Sequence, residues 1–387
     1  MKLIEVKTKR SKKLFNKLPR LINKKDLNFA CPLTKMVEET FDSEKNTFYK
    51  HGIATRWILT EGPRPIGRIA AFVDFDKSNV FEQPTGNIGF FECINDKEAA
   101  SILFDTAKEW LAAQGMEAMD GPANMGENYM NHGVLTMGFT KQGFGMPYNP
   151  PYYLELFESY GFKVYYEQYC YHLDYTNPFP ERFWKIAEWV AQKPQYSFKH
   201  FKWDDLDKFV SDFQKVYEGA WQKHEHFKPI DADELKAFLK SSKLLLDPEF
   251  IWFAYANEEP IAMFVMMPDF NEALRYLKNG KLNPLNIFKL MGFIKKSKFT
   301  RARILIMGVV EKYQRSGIES AIFWQMDKKV MPHKPNYKEI ELSWAGDFNP
   351  KIIALYKSTG AKHSKTHYQM RYLFDRNKPF VRAKVIE

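Results

Sequence analysis

The stretch IMGVVEKYQRSGI, residues 306–318, decides how the C-terminal half of this 387-residue chain is interpreted. An apolar run typical of a buried strand passes into a short polar turn, and Gly317 then opens a helix with apolar residues on one face. Backbone N–H groups at a helix start have no intrahelical partner and lie at the positive end of the helix dipole. The junction therefore predicts a phosphate or pyrophosphate site, where Gly317 lets the backbone approach and Arg315 adds charge.

The order of predicted elements is the same in the two halves of the chain. The first half contains predicted strands at 3–8, 54–60, 66–74 and 86–94, with helices at 11–23 and 95–115. The second half contains predicted strands at 196–202, 251–256, 260–267, 303–310 and 339–344, with helices at 205–221 and from 317 onward. This repetition predicts an internal duplication.

The two halves align best near their ends. LFESYGF at 156–162 corresponds to LYKSTGA at 355–361, and Asn-Pro precedes both segments, at 149–150 and 349–350. Asn as N-cap, Pro at the first helical position and Gly after the last turn predict a short helix with both ends specified. Alternating strand residues follow the two helices, at 163–175 and 362–374.

Length and repetition together predict an α/β (α+β) protein with two tandem domains, since 387 residues exceed one ordinary core. The first domain is predicted to span residues 1–175 and the second residues 196–387. The connector, 176–195, contains several prolines and a Trp-rich helix.

The stretch at 306–318 resembles motif A of the GNAT superfamily of acyl-CoA N-acyltransferases, in which a strand ending in valine precedes a Gln/Arg-x-x-Gly-x-Gly/Ala loop. Gln314 and Gly317 match that loop, whereas Glu319 stands where the family usually has Gly or Ala and could repel a phosphate. The resemblance implies two tandem GNAT-like domains, each a mixed, mostly antiparallel sheet flanked by helices, with acetyl-CoA or a longer acyl-CoA as co-substrate. The residues expected to bind the acyl-CoA are Gly308, Val309, Val310, Gln314, Arg315, Ser316, Gly317, Ile318, Ser320 and Asn349.

The segment from Asn349 to Gly360 resembles a second element of the superfamily, with Ala361 in place of its usual Phe. By this resemblance Tyr356 is the general acid that protonates the leaving CoA thiolate, since a phenol within hydrogen-bond reach stabilises charge developing on sulfur. Periodicity alone favours a core aromatic at this position. The resemblance also implies that a backbone N–H near Val309 polarises the thioester carbonyl.

No strong general base stands out in the sequence. Glu341 is the candidate, with Asp347 and a chain of water molecules as alternatives. A solvated carboxylate without a catalytic role is the other interpretation of both residues, and it is the favoured one for Asp347. The first half lacks the two motifs, because its strand-to-helix turn at 93–96 is acidic and free of glycine, and Phe157 stands at the position that aligns with Tyr356. The first half is therefore predicted to be a degenerate copy with a structural or substrate-binding role.

The formal net charge of +10 is concentrated in one segment. Between Asn271 and Arg303, nine Lys and Arg residues stand against one Glu. The part at 274–299 interleaves these cations with apolar residues, which predicts either a solvated helix that packs one face or an amphipathic helix that contacts an anionic membrane. No nucleic-acid partner is expected, because no binding module is recognisable.

The remaining signals concern compartment, metals and loops. Three widely spaced cysteines, with no secretory signal and no long apolar stretch, predict a cytoplasmic protein. His224 and His226 have poor spacing for a metal and no third ligand nearby, so no metal is expected. The loops at 121–128 and 141–151 are predicted either to border the acceptor pocket or to be irregular packing loops.

The predicted function is transfer of an acyl group from acyl-CoA to a small-molecule or peptide amine. One alternative is a catalytically silent acyl-CoA-binding or scaffold protein, which Glu319 and the missing base favour. A second alternative is a long-chain fatty acyl or aminoacyl transferase that acts near a membrane. The sequence does not indicate an oligomeric state.

Overall fold

The computed structural model describes residues 1–79, 81–125, 132–222, 229–243, 245–277, 280–296 and 298–385. Its centre is a 13-stranded sheet that runs through both halves of the chain. The strands are β1 (Lys2–Glu5), β2 (Gly52–Glu61), β3 (Arg64–Asp74), β4 (Thr85–Cys93), β5 (Ala118–Gly121), β6 (Val134–Met137), β7 (Lys163–Asp174), β8 (Tyr196–His200), β9 (Ile251–Ala256), β10 (Glu259–Pro268), β11 (Arg301–Val309), β12 (Glu339–Gly346) and β13 (Lys362–Leu373).

The strand order is β1-β2-β3-β4-β5-β13-β7-β12-β11-β10-β9-β8, with β6 paired to β13 beside this path. Neighbouring strands are antiparallel except for β4 with β5 and β11 with β12, which are parallel. The two parallel pairs occupy equivalent places, since each joins the fourth and fifth strands of its half. The prediction of two tandem units, each with a mixed and mostly antiparallel sheet, is therefore confirmed.

The two halves exchange their last strands. β13, from the end of the second half, pairs with β5 of the first half, where Arg371 lies opposite Asp120. β7, from the end of the first half, pairs with β12 of the second half, where Leu173 lies opposite Ile340. β7 and β13 also pair with each other along most of their length. Each half of the sheet is therefore completed by a strand from the other half.

Helices cover both faces of this sheet. The α-helices are α1 (Lys9–Ile22), α2 (Thr34–Thr40), α3 (Lys97–Ala113), α4 (Tyr153–Tyr160), α5 (Glu181–Ala191), α6 (Leu206–Trp221), α7 (Ala232–Ser241), α8 (Asn271–Leu274), α9 (Pro284–Lys295), α10 (Ile318–Lys329) and α11 (Pro350–Ser358). In the first half α1 packs on β2, β3 and β4, and α3 packs on the same strands around a separate apolar core. In the second half α6 and α10 occupy the corresponding places.

Three of the predicted helix starts are wrong. α1 begins at Lys9 rather than at residue 11, because Thr8 caps it. α3 begins at Lys97 rather than at residue 95, because the carboxylate of its cap, Asp96, accepts a hydrogen bond from the Ala99 backbone N–H at 3.0 Å. α4 begins at Tyr153 rather than next to Asn149. The Asn149 side chain is engaged elsewhere, since its Oδ1 accepts from the Leu135 N–H at 2.7 Å and its Nδ2 donates to the Leu135 carbonyl at 3.1 Å.

The strand exchange predicts that a fragment of residues 1–175 does not fold by itself, because β5 and β7 would both lack the neighbour that β13 provides. We expect no cooperative urea unfolding of this fragment by circular dichroism, together with aggregation through the two open strand edges. Joining residues 362–385 to it through a flexible linker should restore a cooperative transition. A fragment 1–175 that unfolds cooperatively without β13 would contradict this expectation and support the predicted boundary at residue 175.

Candidate active site

The turn between β11 and α10 has the geometry expected of an anion-binding junction. A single 3₁₀ turn at Glu311–Tyr313 follows β11, and Gly317 adopts a left-handed conformation with φ of +82° immediately before α10. Within the described part of the chain, no backbone carbonyl accepts a hydrogen bond from the N–H groups of residues 315–320. Arg315 is exposed beside them with φ of +62°. The turn therefore presents several free amide hydrogens and one cation.

Gly317 is also required by packing. A Cβ atom at this position would lie 3.1 Å from Cγ2 of Val190 and 3.4 Å from Cγ2 of Ile186, both on the connector helix α5. The positive φ strains any residue other than glycine, and a Cβ atom would require Val190 to shift by a few tenths of an ångström. The glycine at the helix start is thus explained by the local fold, whatever ligand the turn binds.

Glu319 lies in the first turn of α10, half-buried. Burial raises the pKa of its carboxyl group, and a hydrogen bond from its own backbone N–H only partly offsets that effect. The carboxyl group therefore interacts with the backbone N–H of its own residue, which is one of the amides at the turn. A raised pKa favours the neutral acid, which reduces the repulsion that a phosphate would meet.

The residues that lead into the turn are covered from the α6 side. A Cβ atom on Gly308 would lie 2.3 Å from the Trp221 ring, and one on Gly219 would lie 2.9 Å from Val310. Gln314 donates from Nε2 to the Val309 carbonyl at 3.2 Å. The end of β11 is therefore held between the last turn of α6 and the Gln314 side chain.

The other predicted acyl-CoA residues have structural partners. Ser316 donates from Oγ to the Tyr313 carbonyl at 2.5 Å, and Ile318 and Ser320 are buried in the first turn of α10. Asn349 caps α11 as predicted, because its Oδ1 accepts from the Ile352 N–H at 3.4 Å and Pro350 follows it. Their roles in binding acyl-CoA stay predictions.

Tyr356 lies on α11 in the core of the second half, with 3% of its surface exposed. Its ring centroid is 5.6 Å from that of Tyr171 on β7. Burial raises the pKa of the Tyr356 hydroxyl above its usual range, with a smaller effect in the same direction from Cys170. The phenol therefore keeps its proton at neutral pH, as a general acid must, but it occupies a well-packed core position as periodicity alone predicts.

Glu341 is at the centre of a buried cluster of charges. Lys365 donates from Nζ to its Oε2 at 2.8 Å, Arg301 Nη1 lies 3.8 Å from the same oxygen, and Arg303 Nε lies 3.7 Å from Oε1. Burial raises the pKa of Glu341, but the three cations outweigh burial and hold that pKa at about 2. A carboxylate this stable in its ionised form is a weak base, so the general-base role predicted for Glu341 has little chemical support.

The alternative base, Asp347, is also paired. Its Oδ2 accepts a hydrogen bond from Arg382 at 2.5 Å, and its Oδ1 accepts from the Glu167 backbone N–H at 3.2 Å. These contacts tie the last described residues of the chain to the end of β12. They favour the interpretation of Asp347 as a partly solvated structural carboxylate.

The charge cluster extends beyond Glu341 to residues that the sequence did not single out. Asp269 binds Arg301, whose Nε donates to its Oδ2 at 2.6 Å. His367 is fully buried, and its Nδ1 lies 3.9 Å from Cys170 Sγ. Burial and then the positive charge of Lys365 lower the pKa of His367 to about 3, so its imidazole is neutral. Alternation along β13 puts Lys365 and His367 on one face, a weak signal that the sequence does contain.

A loop from the first half covers this cluster. Arg301 donates to the carbonyls of Lys141 and Gln142, and Arg303 donates to the carbonyl of Phe144. The loop therefore packs against the second half, and its role beside an acceptor pocket stays a prediction. Among the described residues, several buried polar atoms of the cluster lack a hydrogen-bond partner: Glu341 Oε1, Arg303 Nε, His367 Nε2 and both amide atoms of Gln168.

The structure describes only some of the residues to which the metal and loop predictions refer. Among the described residues, His51, Asp74 and Asp76 have donor atoms close enough to share an ion, with His51 Nδ1 2.9 Å from Asp74 Oδ1. His224 and His226 lie outside the described residues, and so do Gly126, Glu127 and Asn128 of the first predicted loop. The described part of that loop packs Ala123 and Met125 into an apolar cluster.

The strand order and the junction at 306–318 belong to a GNAT-like fold, which this chain has in tandem two-domain form. It superimposes on a tandem GNAT protein from the clavulanic acid biosynthesis pathway with a TM-score of 0.56 and 10% identity, covering 97% of this chain and 99% of that one. A GCN5-related N-acetyltransferase from Sphaerobacter thermophilus gives a TM-score of 0.52 and 10% identity, covering 98% of both chains.

At the level of sequence, the chain is 29% identical over 378 residues to the bacterial ceramide synthase of Caulobacter vibrioides (strain NA1000 / CB15N). The alignment covers 95% of this chain and 96% of that protein. No known family profile matches the chain. The similarity thus extends over both halves and is not confined to the turn at 309–318.

The buried neutral His367 predicts a pH dependence of stability. Because its pKa is about 3 when folded and near 6.5 when unfolded, the unfolded chain binds the proton first, and stability falls as pH drops from about 6.5 towards 3. His367→Gln should remove up to about 1.4 kcal/mol per pH unit of this loss in the free energy of unfolding. Urea titrations at several pH values measure it, with the exposed His333→Gln as a control that should keep the wild-type slope. Equal slopes in wild type and His367→Gln would contradict this assignment.

Proposed function

We propose that this chain is an acyltransferase that moves an acyl group from an acyl-CoA, acetyl-CoA or longer, to the nitrogen of an amine. The observation that carries the proposal is the turn at 315–320, with free amides before a helix on a GNAT-like fold. The similarity to a ceramide synthase supports a long-chain amine as acceptor and a long acyl chain as the transferred group, because a ceramide is an amide of that kind. Three unpaired, buried cysteines support a cytoplasmic location.

On the donor side, we assign the pyrophosphate of the acyl-CoA to the amides of residues 315–320 and to Arg315. A dianionic group at these amides interacts favourably with the dipole of α10. When the pyrophosphate binds, the Glu319 side chain has to move or its carboxyl group has to be protonated. The raised pKa of this carboxyl group supports protonation. The thioester would then extend towards the point where β11 and β12 separate, beyond the last register pair of Arg303 with Glu341.

The reaction we propose is direct attack. The amine nitrogen forms a bond to the thioester carbonyl carbon, the C–S bond breaks, and the leaving sulfur takes the proton of the Tyr356 hydroxyl. A backbone N–H near Val309 would stabilise the oxygen of the tetrahedral intermediate. The attacking neutral amine loses one proton to water, since Glu341 is a weak base in this environment, and water returns one proton to the Tyr356 phenolate, so that the products are the amide and the CoA thiol.

On the acceptor side, we assign the polar part of the amine to the cluster around Glu341. The donors and acceptors there that lack a partner, on Arg303, His367 and Gln168, suit a hydroxyl or an amine of a substrate. Because the loop at 141–146 covers them, this part of the site requires that loop to move when the acceptor enters.

A silent acyl-CoA-binding protein is the second candidate, and two observations favour it. The Glu319 carboxyl group interacts with one amide of the anion site, and Glu341, the base predicted from the sequence, has its pKa held at about 2. Calorimetric titration with CoA, followed by thiol-release assays with short and long acyl-CoA and a panel of short and long amines, separates the candidates. Binding without thiol release across the panel would favour the silent protein.

Tyr356→Phe is expected to reduce thiol release on the order of 10²-fold or more while CoA affinity stays near that of wild type, because the general acid is removed and the ring is kept. Tyr171→Phe is the matched control, since it removes a hydroxyl from a neighbouring residue that is also 3% exposed. Steady-state kinetics at neutral pH measure both variants. Unchanged turnover in Tyr356→Phe would remove the general-acid role.

Arg315→Glu is expected to weaken CoA binding on the order of tenfold or more, because it replaces the cation of the anion site with a carboxylate. It is a cleaner test than a substitution at Gly317, where the positive φ and the contact with Val190 would disturb the fold. Lys329→Glu makes the same charge change at the exposed end of α10 and should leave affinity unchanged. Equal effects of the two variants in calorimetry would contradict a phosphate site at this turn.

A further inference from the structure

A concentrated exposed apolar surface lies on and before helix α9. Leu282, Leu285, Ile287 and Phe288 are all exposed, and Phe288 has 78% of its surface accessible. Leu285 and Phe288 are three residues apart and therefore lie on the same side of the helix. Exposed apolar residues are common singly, but four within one short segment mark an interaction surface.

The packing of α9 on the domain does not need these residues. Leu290, Phe293 and Ile294 pack partly buried against a cluster that contains Met267, Phe270 and Phe299. A solvated helix that packs one face, as the sequence allowed, would carry polar residues on the other face. Here Leu285 and Phe288 project from the helix away from its packed side. A solvated helix that packs one face therefore explains the buried residues of α9 but not its exposed apolar ones.

Cations surround the apolar residues. The segment carries exposed lysines at 289, 295, 296 and 298, and among the described residues no carboxylate pairs with them. A groove of about 630 Å³ beside α9 is lined by Arg275, Tyr276, Lys289, Gly292, Phe293, Lys296 and Lys298. Aromatic rings thus form part of its wall, and four cations stand around it.

We propose that α9 and its flanks, the residues from Leu282 to Lys296 together with Lys298, form a docking surface for an anionic lipid bilayer. Leu285 and Phe288 would enter the boundary between headgroups and acyl chains, and the lysines would meet the lipid phosphates. Long lysine side chains reach the phosphate level while their stems lie along the apolar surface. A protein partner fits less well, because lysine is depleted from the centre of protein interfaces.

Among the described residues, no helix combines the length and hydropathy of a membrane-spanning segment. Few apolar side chains enter the bilayer, so binding depends on the electrostatic contribution and weakens with salt. The docking surface goes beyond the proposed transfer reaction and does not rest on it, since its residues are separate from the turn at 315–320.

The test is binding of the full chain to vesicles without acyl-CoA. We expect the protein to float with vesicles of phosphatidylcholine mixed with phosphatidylglycerol, and to do so less with added salt or with phosphatidylcholine alone. The double variant Leu285→Gln with Phe288→Gln should lose on the order of tenfold or more in partitioning. Lys289→Glu with Lys296→Glu should lose the preference for phosphatidylglycerol.

Two matched control variants show whether the loss of binding is specific to α9. Ile186→Gln with Trp189→Gln removes two exposed apolar residues from α5, and Lys24→Glu with Lys25→Glu makes the same charge change elsewhere. Both should bind vesicles as wild type does. The proposal is overturned if wild type does not float with either vesicle, or if the controls lose as much binding as the α9 variants. It is also overturned if α9 variants abolish only a self-association seen by light scattering without lipid, since the surface would then join two protein chains.

Discussion

The pairing of β7 with β13 is the interaction on which the rest of the structure depends. It joins two strands that come from the ends of the two halves, and each of them borders the fifth strand of the opposite half. Without it the sheet would break into two incomplete parts. Because the strand order is continuous from β1 to β8, the two duplicated units share one framework, and the position of one half relative to the other is set by backbone hydrogen bonds.

Buried charges lie beside this central pairing in both halves. Asp120 receives two hydrogen bonds from Arg371, at 2.7 and 2.8 Å, and Glu341 receives one from Lys365. Ion pairs of this kind add little net stability, since both charges must be desolvated. They do fix the register, because a slip of β13 by one residue would carry Lys365 and Arg371 to the opposite, apolar face.

Periodicity and turn residues in the sequence were enough to predict most strands, the duplication and the class of fold. The junction at 306–318 was found because a strand, a polar turn and a glycine stand next to one another in the chain. The charge cluster was not found, because Asp269, Glu341 and Lys365 are distant in sequence. Asp269 and Glu341 both approach Arg301 on β11, and Lys365 reaches Glu341 from β13. The misplaced start of α4 has a similar cause, since a tertiary contact of Asn149 with Leu135 replaced a local cap.

The strand exchange has a consequence for synthesis on the ribosome. When β7 has left the exit tunnel, β13, which will pair with one of its edges, is still roughly 190 residues from being made. At ordinary elongation rates this is on the order of ten to forty seconds. During that interval the nascent chain presents unpaired edges at β5 and β7, of the kind that other polypeptides can extend. Chaperone protection of the emerging polypeptide, rather than the stability of the finished protein, would then limit how much of it reaches the native state.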